Sequence, residues 1–341
     1  GNQRFGYITL VDGGDLHEPI WGHPSINLSQ DSVAEFKVFR NQWDAEYGGA
    51  LAAIVNVVSK SGTNRMSGSG YYFGRDDSLN AKNAYASAKP PFEQVRLGTS
   101  FGGAVVQNRT HYFASYEQQN TDRANITSLP ASNPLATLEN GIYPNCTKDK
   151  NFLGRVDHRF NQGHSLYARY AVGDWIRDDG NRPVRILNGI TLGPLAEIQK
   201  GLSQSVVGEE KWILSDTRLN SIRLHVLNNQ LHGETHSLEP RLQRPSFTWG
   251  QFHRDPQWFP QYKYSLTDTF FMAGRGHDLK FGGEISYSDT GFEAHHYENG
   301  GWVFNTDAPF DANNPETYPF SCEIRTPGNC TLKSTQYAAV V

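Results

Sequence analysis

Few of the usual landmarks are present. There are 3 cysteines and 2 methionines in 341 residues. The cysteines, Cys146, Cys322 and Cys330, have no zinc-ligand spacing, which excludes a structural zinc module. No run approaches the ~20 apolar residues of a membrane helix, and the mean hydropathy is −0.58. That excludes a helical membrane protein and leaves open a β-barrel, whose strands alternate and average out to an ordinary hydropathy. Net charge is only −4, so there is no electrostatic case for a nucleic-acid partner. Phosphate-cradling Gly loops are missing as well, and Gly98 to Gly103 reads as strand. Gly68-Ser69-Gly70 is not a nucleophile elbow, because its glycines are wrongly spaced and no helix follows.

What is abundant is glycine (33) and aromatic residues (12%), arranged in strands. Phe5 to Asp12 reads as a short strand followed by a Gly13-Gly14-Asp15 turn. Leu16 to Leu28 is an irregular loop carrying His17, Glu18, Trp21 and His23. Val33 to Arg40 alternates, and Leu51 to Ser59 is a continuous β-branched run of the kind that is buried on both faces.

From Met66 onward ten strands are expected. They are Met66 to Asp76, Glu93 to Val105, Arg109 to Gln119, Asn151 to Phe160, His164 to Asp174, Ser203 to Leu214, Thr217 to Gln230, Gln261 to Ala273, His277 to Thr290, and Ser334 to the end. Their faces differ: Phe152, Gly154, Val156 and Phe160 oppose Leu153, Arg155, Asp157 and Arg159, and Leu279, Phe281, Ile285 and Tyr287 oppose Asp278, Lys280, Glu284 and Ser286. This suits a wall between lipid and a polar interior.

The connections say more. Tight turns at Gln107-Asn108, Asn161 to Gly163, Ser215-Asp216 and Gly274 to Gly276 alternate strictly with connections of roughly 16 to 43 residues, and long structureless loops are uncommon in soluble domains. Short turns on one side and long loops on the other belong to an outer-membrane barrel.

The runs Asp31 to Val38 (DSVAEFKV), Ala45 to Gly49 (AEYGG) and Ile54 to Asn64 (IVNVVSKSGTN) resemble the plug-to-barrel junction of TonB-dependent outer-membrane receptors, in particular the Oar-like branch. Val11-Asp12-Gly13 is similar to the family's hydrophobic-Asp-Gly turn. Phe101 to Glu117 is similar to its second hairpin, with Ala104 where proline is common. His277 to Glu284 and Gln336 to Ala338 fit too.

The resemblance implies an all-β fold: residues 1–64 as the C-terminal part of a plug, and 65–341 as the N-terminal part of a transmembrane antiparallel barrel with long extracellular loops. About ten of roughly 22 strands are then present, and the chain reads as a fragment. It also implies active uptake or export of a large or scarce ligand in a Gram-negative outer membrane, powered by a TonB-type inner-membrane protein through a segment preceding Gly1. On this reading the partners are that protein, an extracellular ligand and outer-membrane lipid. No cofactor and no catalytic residue are implied. Plug apices in the family face incoming ligand, which makes His17, Glu18, Trp21 and His23 the ligand-contact candidates.

Other constellations read as ordinary structure. His232 and His236 have an H-x3-H spacing but lack the Glu after the first His and lie at a strand end. His295-His296 sits beside Glu293 and Glu298 in an outer loop. The acid pairs Asp76-Asp77, Asp178-Asp179 and Glu209-Glu210 read as solvated loop or lumen charge rather than Ca2+ or glycosidase chemistry. Cys322 and Cys330 form a candidate loop disulfide. Five sequons (Asn27, Asn108, Asn125, Asn145, Asn329) would be silent in a bacterium. Trp249, Phe252, Trp258 and Phe259 crowd one long loop and are further ligand-contact candidates.

Two rivals stand beside the receptor. A diffusive porin or adhesin barrel shares the turn and loop alternation but lacks a plug, and the buried 51–59 run argues against it. A secreted all-β carbohydrate-binding protein or hydrolase shares the aromatics and sequons but should show short loops on both sides and a carboxylate pair.

Overall fold

The computed structural model describes residues 7–18, 22–40, 53–82, 89–127, 129, 131–133, 136–180, 184–187, 190–191, 197–252, 256–274, 276–323 and 328–340. Trp21 and the Ala45 to Gly49 motif lie outside them.

The N-terminal unit is a four-stranded sheet of β1 (Tyr7–Val11), β2 (Gly14–Asp15), β3 (Val33–Arg40) and β4 (Ala53–Ser59), in the order β2-β1-β4-β3. Its tightest feature is the β1–β2 hairpin, whose two turn residues, Asp12 and Gly13, have φ of 51° and 76°. Asp-Gly suits such a turn, since both central positions need positive φ. The β-branched β4 sits between β1, to which it is parallel, and β3, to which it is antiparallel, and none of its residues is exposed. β3 is an edge strand with Phe36 and Val38 exposed.

Residues 60–66 then lead to the barrel wall. Gly62 lies so close to it that a Cβ there would sit 2.2 Å from the Tyr112 carbonyl oxygen and 2.5 Å from that of Gly103. Asn64 Oδ1 accepts from the Asn108 backbone N–H (2.7 Å) and lies 2.9 Å from His111 Nε2, clamping the first short turn.

The wall begins with β5 (Ser67–Asp76), β6 (Phe92–Val106), β7 (Thr110–Thr127), β8 (Gly141–Asn161) and β9 (His164–Asp178). Two loop strands follow, β10 (Val184–Leu187) and β11 (Ile190–Thr191), and then β12 (Glu197–Ser215) and β13 (Arg218–Thr235) return to the wall. Loop strands β14 (Arg241–Gln243) and β15 (Phe247–Trp249) precede wall strands β16 (Gln257–Gly274) and β17 (His277–Ala294). The chain ends with β18 (Gly301–Phe304), β19 (Pro319–Glu323) and the last wall strand, β20 (Gly328–Val340).

The ten wall strands form one sheet, β20-β17-β16-β13-β12-β9-β8-β7-β6-β5, each antiparallel to its chain neighbour. The sheet is open at β5 and β20. This is the expected all-β partial barrel, with the four expected turns at one end.

Its burial is inverted relative to a soluble protein. Inward positions of β12 and β13 are polar and covered: Ser203, Ser205, Glu209, His225 and Asn229. Outward positions are apolar and bare: Tyr170, Leu202, Val206, Leu224, Leu266, Phe281 and Ile285. Apolar atoms at the outer surface and polar atoms within are what a lipid-embedded barrel requires, and the secreted-protein alternative is set aside on this ground.

Two expectations need correction. The wall strands run further outward than the alternation indicated: β8 starts at Gly141 rather than Asn151, and pairing with β7 continues to Thr127 opposite Gly141. Beyond the lipid both faces are polar, so hydrogen bonding persists where the hydrophobic period ends. The sequons at Asn125 and Asn145 therefore lie on paired strands. The long connections also carry structure. β11-β10-β15-β14-β18-β19 make a third, six-stranded sheet that knits three of them together. Arg244 braces it, donating from Nη1 to the carbonyls of Thr306 and Ala308 (3.1 and 2.6 Å) with its guanidinium over the Phe304 ring.

Candidate functional site where the N-terminal unit meets the barrel wall

The N-terminal sheet is seated on the inner face of the wall. Val11, Leu16, Ile26 and Val57 pack with Phe113, Leu153, Ala171 and Leu227 as one buried cluster. Leu153 thus faces inward among polar neighbours because it meets this unit rather than lumen water.

Beside that cluster lies a charged hub. The β1–β2 turn presents the Asp12 carboxylate, which accepts from Ser59 N (2.9 Å) and Ser59 Oγ (2.7 Å) within its own unit. From the wall, Arg155 Nη1 reaches Asp12 Oδ1 at 3.2 Å and Arg169 Nε lies 3.2 Å from Oδ2. The second contact is an ion pair rather than a directed hydrogen bond, since the Arg169 Nε proton is left without an acceptor. Tyr167 Oη donates to the Asp12 carbonyl at 2.8 Å. Arg155 also pairs with Asp157 at 2.7 Å, and its guanidinium lies 4.4 Å from the Tyr167 ring centre. Arg223 pairs with the buried Glu209 at 2.8 Å and reaches toward the Gly13 carbonyl. Gly13 and Gly14 permit this approach: a Cβ on Gly13 would lie 2.3 Å from the Arg223 guanidinium, and one on Gly14 2.6 Å from Val207. Arg155 and Arg169 against Asp12 and Asp157, and Arg223 against Glu209, balance three charges of each sign, as a covered cluster needs.

Further contacts carry the seat along the wall. Ser69 Oγ donates to Asp31, and Tyr71 Oη donates to Glu117 and lies 3.3 Å from Ser29 Oγ. Lys263 pairs with Asp15.

Residues 16–18 and 22–25 pair as the two arms of a small hairpin, with Glu18 N donating to the His23 carbonyl (3.0 Å) and Ser25 N to that of Leu16 (2.8 Å). It brings three of the expected ligand-contact residues into one turn but aims them differently. His23 is exposed. Glu18 is 5% exposed and turned to the wall, accepting from Asn229 Nδ2 at 3.2 Å. Burial, only partly offset by the Asn229 and Gln261 side chains, pushes its pKa up to about 7. His17 is half-buried, edge-on to the Tyr7 ring, and burial lowers its pKa.

The remaining candidates are dispersed. His232 stacks on Trp258 whereas His236 pairs with Asp178. His295 lies between Glu293 (3.4 Å) and Glu298 (3.3 Å). Glu209 is a lumen charge, but buried and ion-paired rather than solvated. Its neighbour Glu210 lies on the opposite, outer face, against His164. Trp258 and Phe259 belong to β16, where Phe259 stacks on Phe292. Trp249 donates to Glu239 at 2.6 Å. Cys322 is exposed with a free thiol, and the Cys330 side chain is not among those described.

Sequence reasoning missed the hub itself. Its only advance signals were the Asp-Gly turn and arginines at alternate positions of adjacent strands, and nothing in the sequence joins residues 143 and 157 positions apart.

The comparisons agree with this architecture. The model of the outer membrane beta barrel domain matches residues 58–147 and 129–322. No curated protein matches in sequence. Among solved structures, the outer membrane transporter YddB of Escherichia coli is similar over 98% of this chain and 46% of its own (TM-score 0.69, 12% identity). A variant of the ferric enterobactin receptor PfeA of Pseudomonas aeruginosa is similar over 86% of this chain and 42% of its own (TM-score 0.54, 13% identity). The siderophore receptor PirA of Acinetobacter baumannii is similar over 86% and 41% (TM-score 0.53, 13% identity). The chain spans less than half the length of these structures. The family match, the inverted faces and the shared fold put it in the outer membrane of a Gram-negative bacterium. The chain belongs to the outer-membrane β-barrel domain family.

Proposed function

We propose that the chain is part of a TonB-dependent receptor of the Oar-like branch, with residues 1–64 the C-terminal part of its plug and 65–341 the first part of its barrel. The receptor captures a large or scarce ligand at its outer loops and plug apex, with His17, Trp21 and His23 as contact candidates. It moves that ligand when a TonB-type inner-membrane protein pulls on a segment outside this chain. It turns over no substrate chemically. The observation that carries this reading is the charged hub at Asp12: an open diffusive pore has no use for a separate sheet fastened to its polar inner wall.

Conductance of the complete protein in a planar bilayer tests it. The wild type should be closed at rest, and Asp12→Asn should open measurable current. A wild type that conducts steadily would be a diffusive pore, and the receptor reading would fall.

A further inference from the structure

On the outer face of the wall, at its short-turn end, the ladders put His164 (β9), Trp212 (β12), Asn220 (β13), Phe270 (β16) and Phe281 (β17) side by side in one row. Phe160 extends the row on β8, stacking on His164 with ring centres 4.5 Å apart, and His164 stacks on Trp212 at 5.4 Å. The row follows the lower margin of the apolar band, below the exposed Ile222, Leu224 and Leu266. Aromatic rows at such margins are general in membrane barrels. What is particular to this one is the break at Asn220. Neighbouring strands lie ~4.8 Å apart, so the backbones of Trp212 and Phe270 stand roughly 10 Å apart across it, with room for one polar group between two rings.

Two charges bracket the break on the same face. Asp268 lies one row toward the apolar band, in register with Ile222, and accepts from Asn220 Nδ2 at 2.6 Å. Arg218 lies one row toward the turn, in register with Met272, and is exposed. Neither has an ion-pair partner among the described residues, and the other acid at this level, Glu210, is taken by His164. Charges at the edge of lipid are costly without a counter-charge. A headgroup with a single charge would leave one of the two unmet. A zwitterion meets both, with its phosphate on the Arg218 fork and its ammonium on the Asp268 carboxylate. The two levels are four residues, ~14 Å, apart along the strands, and the long arginine stem shortens that to the span of one headgroup. The ammonium must be primary, because a quaternary one has no N–H to donate. We propose that the break at Asn220 is a binding site for a phospholipid headgroup of the phosphoethanolamine type, with Trp212 and Phe270 closing its sides. The orientation rule for short turns puts it in the periplasmic leaflet. The site requires only that this face meets lipid and is independent of transport.

Native mass spectrometry of the complete, delipidated protein in detergent tests it, with phosphatidylethanolamine, phosphatidylcholine and phosphatidylglycerol of one chain length added in equal amounts. The first lipid bound should be phosphatidylethanolamine, favoured roughly tenfold over each of the others, as one charge-assisted hydrogen bond is worth. Asp268→Asn should let phosphatidylcholine bind equally well, and Arg218→Gln should weaken all three lipids. Retained heat-modifiable gel mobility would show that each variant barrel is folded, and the wild-type preference decides alone where a variant fails that check. The proposal is overturned if the wild type shows no preference, if it prefers phosphatidylglycerol, or if the preference survives in both folded variants.

Discussion

Arg169 Nε and Asp12 Oδ2 lie 3.2 Å apart across the boundary between the N-terminal unit and the barrel wall, with side-chain exposures of 0% and 2%. A charge pair so covered is costly to bury and costlier to break, because the survivor is left without water or partner. The contact therefore acts less as glue than as a discriminator. Seated, it is tolerable; half-seated, it is not.

Asp12→Asn leaves Arg155 with Asp157 but strips Arg169 of its only counter-charge among the described residues. The N-terminal unit should loosen by roughly 3–5 kcal/mol, the cost of breaking a buried pair from one side. Protease cleavage within residues 1–60 of the folded protein would rise sharply while the barrel stayed resistant. Equal resistance in the two proteins would show that the apolar cluster alone holds the unit.

Glu18 sets a pH dependence. Its folded pKa, about 7, lies above the ordinary carboxylate value of 4.5, so the folded state binds the proton more tightly than the unfolded state. Its contribution is most favourable below pH 4.5, weakens as pH rises to 7, and is flat beyond. Glu18→Gln should thus raise the melting temperature relative to wild type at pH 8 and change it little at pH 5. The same difference at both pH values would refute the assignment.

Gly62 tests the junction. An alanine there meets two carbonyl oxygens of the wall at 2.2 and 2.5 Å, and these are backbone atoms that cannot swing away. Gly62→Ala should displace residues 60–64 and release the Asn64 clamp on the Asn108 turn, read as faster amide exchange at Asn108 and Arg109. Unchanged exchange would mean that the linker has slack.

The outer face predicts its own asymmetry. Val206, 43% exposed with Tyr170 and Val226 beside it in register, looks into lipid. Val206→Arg should cost about 2–4 kcal/mol of folding into bilayers, whereas Ser221→Lys on the inner face should cost little. Denaturant titrations of the folded band on gels would separate them, and equal costs would reverse the face assignment.

How much of this was legible follows from where periodicity exists. Phe281, Ile285 and Tyr287 alternate with polar residues because lipid lies on one side only, so strands and turns could be placed within the membrane. Lys-Ser-Gly-Thr-Asn was legible as a motif, and the wall contacts of Gly62 and Asn64 supply its physical cause. Above the lipid that constraint lapses, and neither the extension of β8 to Gly141 nor the pairing of β14 with β18 left a pattern. Glu18 read as an outward ligand contact because a hairpin's sequence does not say which way its second residue turns. The hub at Asp12 was invisible for another reason: ion pairs between distant strands depend on register, and register is a property of the folded wall.

The knitted outer connections have a consequence for how such a protein changes over generations. Within a shared sheet, inserting one residue into β14 or β15 turns every following side chain to the opposite face. Lengths in the connections that share the sheet can therefore drift only together, or where no ladder constrains them. Inherited variation in this surface should gather in the unladdered stretch around 305–318, between β18 and β19, while its neighbours keep their lengths.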